Sequence, residues 1–144
     1  MKSIKTIVTF LAIFYSIFIS SCEKEQDVSD KMLIGKWNQI STWRIDYVDQ
    51  VKQNEVNTSY QEGKMVLEIY EDGIAKRFID GIIADSFYWM VDGDLFITTS
   101  DNGVIIKSQF SVSSDELNLK WAIESNSDGH IIRSEYNSVY KKAK

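Results

Sequence analysis

Short turn signals recur at even intervals along the chain, and this spacing restricts the fold more than any other feature. They lie at residues 71–73, 80–81, 92–94, 101–103, 113–115 and 126–129. Most contain Asp-Gly or Asn-Gly, which favour hairpins because these residues tolerate the positive φ that primed turns demand. A spacing of about 8–12 residues between such signals is typical of an antiparallel barrel or sandwich. The chain has no proline, so its turns depend on Gly, Asn and Asp.

Between the turns, apolar and polar residues alternate. Leu117, Leu119 and Trp121, for example, are separated by Asn118 and Lys120. An amphipathic helix would instead space its apolar residues three and four apart. The alternation predicts eight strands, near 35–47, 64–70, 74–79, 83–91, 94–99, 104–112, 116–124 and 130–141. Up-and-down strands remove their open edges by closing into a barrel, so we expect an all-β fold: an antiparallel eight-stranded up-and-down β-barrel.

The N-terminus has the pattern of an export signal. Two lysines precede an almost uninterrupted apolar run at 7–19, which is shorter than the ~20 residues of a membrane-spanning helix and fits a signal peptide. The run ends at Ile19-Ser20-Ser21-Cys22, which resembles the lipobox of bacterial lipoproteins. The resemblance implies cleavage after residue 21, lipidation of Cys22 with more than one acyl chain, and a stable membrane anchor. We therefore expect an outer-membrane lipoprotein of the bacterial cell envelope.

The sequence then divides into three parts: a lipoprotein signal peptide at 1–21, the lipidated Cys22 with a flexible polar tether at 22–31, and a barrel domain at 32–144. Glu23 and Glu25 resemble the surface-export signals of Bacteroidota lipoproteins, and both a periplasmic and a surface-exposed location stay open. Removing residues 1–21 takes away two lysines and no acidic residue, which leaves 14 Lys+Arg against 21 Asp+Glu, a formal charge of −7. Such a charge repels phosphates and argues against nucleic acid as a partner.

One segment, 48–63, contains no turn signal of the short kind and is too polar for a predicted strand. A loop of this length in a small domain is usually functional or disordered. Two interpretations stay open: a lid that gates one mouth of the barrel, or a connector attached to the rim.

The chain resembles the lipocalin-like lipoproteins of Bacteroidota, within the wider calycin group. The resemblance covers about 110 residues and depends on the order and spacing of several short motifs. These are Gly35-Lys36-Trp37, Asp72-Gly73, the stretch 89–95, the stretch 110–119 and the closing Tyr140-Lys141.

In that family the tryptophan of Gly-x-Trp plugs the closed end of the barrel, and a cation from the last strand lies over its ring. The resemblance thus implies structural roles for Gly35, Trp37 and Lys141, with Lys141 as the cation. The chain departs from the family in having lysine where arginine is usual, and lysine stacks on an aromatic ring less well than a planar guanidinium.

The sequence contains few residues in patterns that indicate catalysis or metal binding. Its single histidine, His130, follows a turn and has no cysteine or histidine neighbours from which a metal site is built. The aspartates of the turn signals are explained by turn geometry. We therefore expect no enzyme activity, no cofactor and no metal.

The inward face of the barrel carries the candidate ligand-binding residues. They are Gln39, Trp43, Leu67, Ile69, Phe87, Trp89, Ile97, Ile106, Phe110, Leu119, Trp121 and Tyr136. Small polar residues, Ser41, Ser108 and Ser134, share this face. An apolar pocket with a few polar groups is typical of a small-molecule site, but a solid core with hydrogen-bonded serines has the same composition.

The functional hypothesis is a monomeric, membrane-anchored, non-enzymatic binding protein for a small hydrophobic or amphipathic ligand. The alternative is a protein-interaction module with a filled barrel, either a calycin-type protease inhibitor or a structural or assembly lipoprotein.

Overall fold

The computed structural model describes residues 30–144, which contain nine β-strands. The predicted signal peptide, Cys22 and most of the tether lie outside these residues. The strands are β1 (Gly35–Val48), β2 (Val51–Ser59), β3 (Met65–Ile69), β4 (Ile74–Ile79), β5 (Ile82–Asp92), β6 (Leu95–Ser100), β7 (Ile105–Val112), β8 (Glu116–Ser127) and β9 (His130–Lys142).

Eight of the nine strands form a closed antiparallel barrel. From β3 to β9, each strand pairs with the next one in the chain, and β1 closes the ring by pairing with both β3 and β9. The predicted eight-stranded up-and-down barrel is confirmed, and the bounds of its strands differ from the predicted bounds by three residues at most. The Asp80-Gly81 and Asp128-Gly129 turns have positive φ at both residues, as primed hairpin turns require.

The ninth strand, β2, replaces the loop that we expected at 48–63, and that prediction is wrong. Asp49 and Gln50 both have positive φ and form a two-residue turn without glycine. β2 then runs antiparallel along the second half of β1, from Val51 opposite Val48 to Ser59 opposite Ser41. Every residue of β2 is exposed, so neither face needs apolar residues and no alternating pattern marks the strand in the sequence. Among the described residues, β2 pairs with β1 alone.

One end of the barrel is closed by side chains. The turns β3–β4, β5–β6 and β7–β8 surround this end together with the start of β1 and the end of β9. Trp37 is fully buried here, and its Nε1 donates a hydrogen bond to the carbonyl of Leu33 at 2.7 Å. Leu33, in the helical turn before β1, is also fully buried. Trp37 therefore plugs this closed end.

The cation over Trp37 is Lys142, and the predicted pairing with Lys141 is wrong. Lys142 Nζ lies 4.2 Å from the centroid of the Trp37 ring and donates to the carbonyl of Ile34 at 2.8 Å. Lys141 is on the outer face, where it forms ion pairs with Glu116 and Asp115. Alternation along β9 explains the correction, because Tyr140 is buried and its immediate successor must point outward.

Gly35 is the residue that makes room for Lys142. Its φ is +132°, and a Cβ built on it would lie 2.8 Å from Lys142 Nζ. The glycine of the Gly-Lys-Trp motif is thus required by its backbone conformation, and a larger residue would also displace the end of the Lys142 side chain.

Two β-bulges change which side chains face the interior. In the β1–β9 pairing, Gln39 lies opposite Tyr140 but Ser41 lies opposite Val139, so Ile40 is an extra residue. In the β4–β5 pairing, Arg77 lies opposite Asp85 but Phe78 lies opposite Ile83, which makes Ala84 the extra residue. A slip of one residue moves all following side chains to the other face of a strand. Both bulges therefore influence the interior surface described next.

Candidate functional site

A cavity of about 220 Å³ occupies the barrel interior above the closed end. Its deepest lining residues are almost inaccessible to solvent: Phe96 is 1% exposed, Leu67 4%, Leu119 6% and Tyr140 7%. Phe87, Ile106 and Trp121 line it at intermediate burial. Toward the other end the lining becomes exposed, with Val104 at 54%. The cavity therefore has an apolar floor and opens toward the mouth formed by the β4–β5, β6–β7 and β8–β9 turns.

A pair of oppositely charged side chains lies on the cavity wall near the mouth. Arg77 of β4 and Asp85 of β5 are directly opposite in the sheet and both line the cavity. Arg77 Nε donates to Asp85 Oδ2 at 2.8 Å, and Nη2 donates to the same oxygen. Their side chains are 49% and 44% exposed. Thr98 and Ser100 of β6 also line this region, so the rim is polar where the floor is apolar.

A second polar cluster follows the inner face of β1 beyond the cavity. Arg44 Nη2 donates to Asp46 Oδ2 at 2.7 Å, and Ser134 Oγ donates to Asp46 Oδ1 at 2.6 Å. The hydrogen bonds from Arg44 and Ser134 lower the pKa of Asp46, and those to Asp46 raise the pKa of Arg44. Arg44 is opposite Tyr136 on β9, so this cluster is part of the inward face at the open end.

An aromatic pair connects this cluster to the cavity. Trp121 of β8 and Tyr136 of β9 are directly opposite and stack with ring centroids 5.0 Å apart and an interplanar angle of 7°. Trp121 lines the cavity. The pair offers a flat apolar surface beside the polar rim.

Polar groups are also present deep in the barrel wall. Gln39 is 6% exposed and donates to the hydroxyl oxygens of Thr42 and Ser138, and Ser138 is fully buried. These partners satisfy the amide N–H groups of Gln39, as buried polar groups require. Nearby, burial raises the pKa of Tyr140 to about 12, so this hydroxyl at the cavity floor is a neutral hydrogen-bonding group.

The structure places five of the predicted ligand-binding residues around the cavity: Leu67, Phe87, Ile106, Leu119 and Trp121. Ile69, Trp89 and Phe110 belong to the core that packs toward the closed end. Gln39 is in the buried polar network and Tyr136 in the aromatic pair. Ligand binding by these residues stays a prediction.

Two candidate ligand-binding residues do not face the interior, and neither does Ser41, which lies opposite the outward-facing Val139. Trp43 is 40% exposed and its Nε1 donates to Glu55 of β2 at 2.7 Å on the outer face. The bulge at Ile40 is the reason, because it moves Trp43 to the face opposite the one that simple alternation gives. Ile97 is opposite Met90 and Lys107, both exposed on the outside. Leu95, Phe96 and Ile97 are all apolar, so alternation could not decide which of them points inward.

Several cavity residues were not predicted, above all Arg77, Asp85, Phe96 and Tyr140. Asp85 shares its face with Phe87 by simple alternation, a signal that could have identified it. Arg77 is different: without the bulge, the Asp80-Gly81 turn would place residue 76 opposite Asp85. The Arg77–Asp85 pair therefore depends on the β-bulge at Ala84, which no sequence pattern predicts.

His130 and the acidic turn residues form no metal-binding group in the structure. Within residues 30–144, no cluster of three or more His, Cys, Asp or Glu side chains is arranged to hold an ion. His130 Nδ1 lies 2.6 Å from Asp49 Oδ2, next to the β1–β2 turn, and this contact lowers the pKa of Asp49. The pair joins the β1–β2 and β8–β9 hairpin ends at the open end.

No helix in the described part of the chain is long and apolar enough to cross a membrane.

Comparisons of the chain with protein-family models, with curated proteins and with solved structures find no match.

Proposed function

We propose that this protein is a membrane-anchored, lipocalin-like binding protein for a small hydrophobic or amphipathic ligand, without enzyme activity. The observation that carries the proposal is the cavity of about 220 Å³ with an apolar floor and a polar rim. Burial of an apolar ligand group against Leu67, Phe96 and Leu119 would supply the binding free energy, at roughly 25 cal/mol per Å² of apolar surface removed from water. The polar rim would orient the ligand.

The decisive test is native mass spectrometry of residues 23–144 purified gently from the native host. This segment contains all nine strands and the β1–β9 closure. We expect a stoichiometric mass surplus that disappears on denaturation. Thr98 lines the cavity, so Thr98→Phe should fill it and abolish the surplus.

Thr99→Phe is the matched control, because Thr99 is opposite the exposed Tyr88 and Ile105 on the outer face. This variant should keep the surplus. A wild-type chain that is always free of ligand would contradict the proposal, as would equal behaviour of the two variants.

The anchoring part of the proposal is supported by the lipobox-like stretch that ends at Cys22. Lipidation there would keep the barrel at the outer membrane, either in the periplasm or on the cell surface. Cys22→Ser should release the protein from the membrane fraction, and unchanged fractionation would contradict lipidation.

The alternative function is a protein-interaction module, and one observation favours it. β2 presents nine exposed residues and, within the described chain, a backbone edge that no strand covers. Such an edge can accept an extended segment of a partner as an additional strand. A ligand-free chain that copurifies with a stoichiometric protein partner, lost when β2 is shortened, would favour this alternative.

A further inference from the structure

From the rim of the cavity we infer that the ligand carries an uncharged head group with both a hydrogen-bond donor and an acceptor, such as a hydroxyl or an amide, joined to a short apolar chain. This inference rests on the proposed function, and it defines the chemical class of the ligand. The inference depends on how the charged side chains at the mouth of the cavity are arranged.

Arg77 is the cation that lines the cavity, and it is already neutralised. Both of its hydrogen bonds, from Nε and Nη2, go to a single oxygen of Asp85. Asp85 Oδ1 and the second Nη of Arg77 therefore have no hydrogen bond within residues 30–144. The wall thus offers one acceptor on Asp85 and one donor group on Arg77, with no net charge.

A charged head group fits this arrangement poorly. A carboxylate attracted by Arg77 would be repelled by Asp85 at a similar distance. An ammonium attracted by Asp85 would in turn be repelled by Arg77. If a charged ligand displaced either partner, the displaced side chain would keep its charge without a counter-ion, and this cost, reduced by solvent because both side chains are about half exposed, works against binding. A hydroxyl can donate to Asp85 Oδ1 and accept from Arg77 without breaking the pair.

The other inward-facing charged pair at the open end is balanced in the same way. Arg44, the cation on the inner face of β1, is held by Asp46 through Nε and Nη2, and Asp46 also accepts from Ser134. Beside these pairs lie neutral groups, the stacked Trp121 and Tyr136 and the hydroxyls of Thr98 and Ser100. The inward-facing side chains at the open end therefore offer polar contacts, and their paired charges give neither sign of charge an advantage.

Three ligands of equal chain length test the inference: octanol, octanoate and octylamine, titrated at pH 7 into ¹⁵N-labelled residues 23–144 and followed by NMR. Each protein must first show a cooperative urea transition. For the wild type we expect octanol to bind tightest, with amide shifts at Arg77, Asp85 and Phe96.

Charge-removing variants should then change the order of preference. Asp85→Asn frees Arg77, so octanoate should bind about tenfold tighter than it binds the wild type, the order of one charge-assisted hydrogen bond. Arg77→Gln frees Asp85 and should favour octylamine by a similar factor. Glu135→Gln is the matched control, because Glu135 forms the same kind of pair with Arg133 at 2.9 Å on the outer face. It should leave the order unchanged.

The outcomes separate this inference from the proposed function. Octanoate or octylamine binding tightest to the wild type would overturn the head-group assignment. So would an unchanged order in both Asp85→Asn and Arg77→Gln, while shifts at Phe96 would still support a cavity binder. If none of the ligands shifts the cavity amides in any variant, the proposed function fails, and the inference fails with it.

Discussion

Replacement of Lys142 by methionine should destabilise the barrel far more than the same replacement of its neighbour Lys141. Methionine keeps an unbranched apolar stem and removes the charge. Lys142 loses the contact with the Trp37 ring at 4.2 Å and the hydrogen bond to the Ile34 carbonyl at 2.8 Å. A cation–π contact contributes about 0.5–2 kcal/mol, and a hydrogen bond from a charged group about 1.5–3 kcal/mol.

The desolvation of Lys142 opposes these gains. Burial lowers the pKa of Lys142 below its ordinary value, which means that burial destabilises the charged ammonium in the folded protein. The longer contact to the Met32 carbonyl, 3.4 Å, adds little. We therefore expect a net loss of about 2–3 kcal/mol for Lys142→Met. Lys141→Met removes only ion pairs of an exposed lysine with Glu116 and Asp115, which contribute about 0–1 kcal/mol.

Equilibrium urea denaturation followed by tryptophan fluorescence measures both losses. With a slope of ~1.5 kcal/mol/M, Lys142→Met should lower the midpoint by about 1–2 M and Lys141→Met by less than about 0.7 M. Equal midpoints for the two variants, or a larger loss for Lys141→Met, would refute the assignment of Lys142 as the cation of the closed end.

Two pH-dependent predictions and one truncation of a buried side chain follow from the same structure. The pKa of Asp46 is lowered in the folded state, so its stabilising contribution is present above its unfolded value near 3.8 and is lost as the pH falls through the folded value. Arg44→Gln should therefore reduce the difference in urea midpoint between pH 7 and pH 3, and an undiminished difference would argue against the pair. The pKa of Tyr140 is raised to about 12, so the unfolded chain loses this proton first, and stability falls as the pH rises from about 10 toward 12, by roughly 3 kcal/mol for this group. Tyr140→Phe should lose less stability than the wild type over that range; parallel pH profiles would contradict a buried hydroxyl. Trp37→Ala should cost about 3–5 kcal/mol, measured by the same urea titration, and a loss under about 1 kcal/mol would exclude its role as the plug.

The regular part of the barrel could be predicted from the sequence because its local signals agree with one another. Asp-Gly turns such as Asp80-Gly81 mark the strand ends, and the alternation around Leu117, Leu119 and Trp121 identifies the face that packs in the core. β2 was not predicted because the strand is formed by backbone pairing with β1 and has no apolar face that would mark it in the sequence. With both faces in water, Val51–Ser59 had no reason to alternate.

The candidate site was less predictable than the fold because it depends on bulges. An extra residue at Ile40 turns Trp43 outward, and another at Ala84 brings Arg77 opposite Asp85. Neither position carries a residue that marks a bulge. Lys142, in contrast, could have been identified: simple alternation from the inward Tyr136 and Tyr140 leads to residue 142, whereas the prediction followed a family motif to Lys141.

The pairing of β1 with β9 has a consequence for how the chain folds. The other ladders join strands that are adjacent in the chain or, for β1 and β3, separated by β2 alone. The β1–β9 ladder joins the first strand to the last, and the side-chain hydrogen bond from Gln39 to Ser138 across it spans 99 residues. Closing so long a loop is slow because its entropy is lost before the contacts are gained. When the chain emerges N-terminus first, β1 cannot pair with β9 until this last strand is available. During that time the β1–β2 hairpin, made through a two-residue turn, occupies one edge of β1 and limits its exposure to other chains.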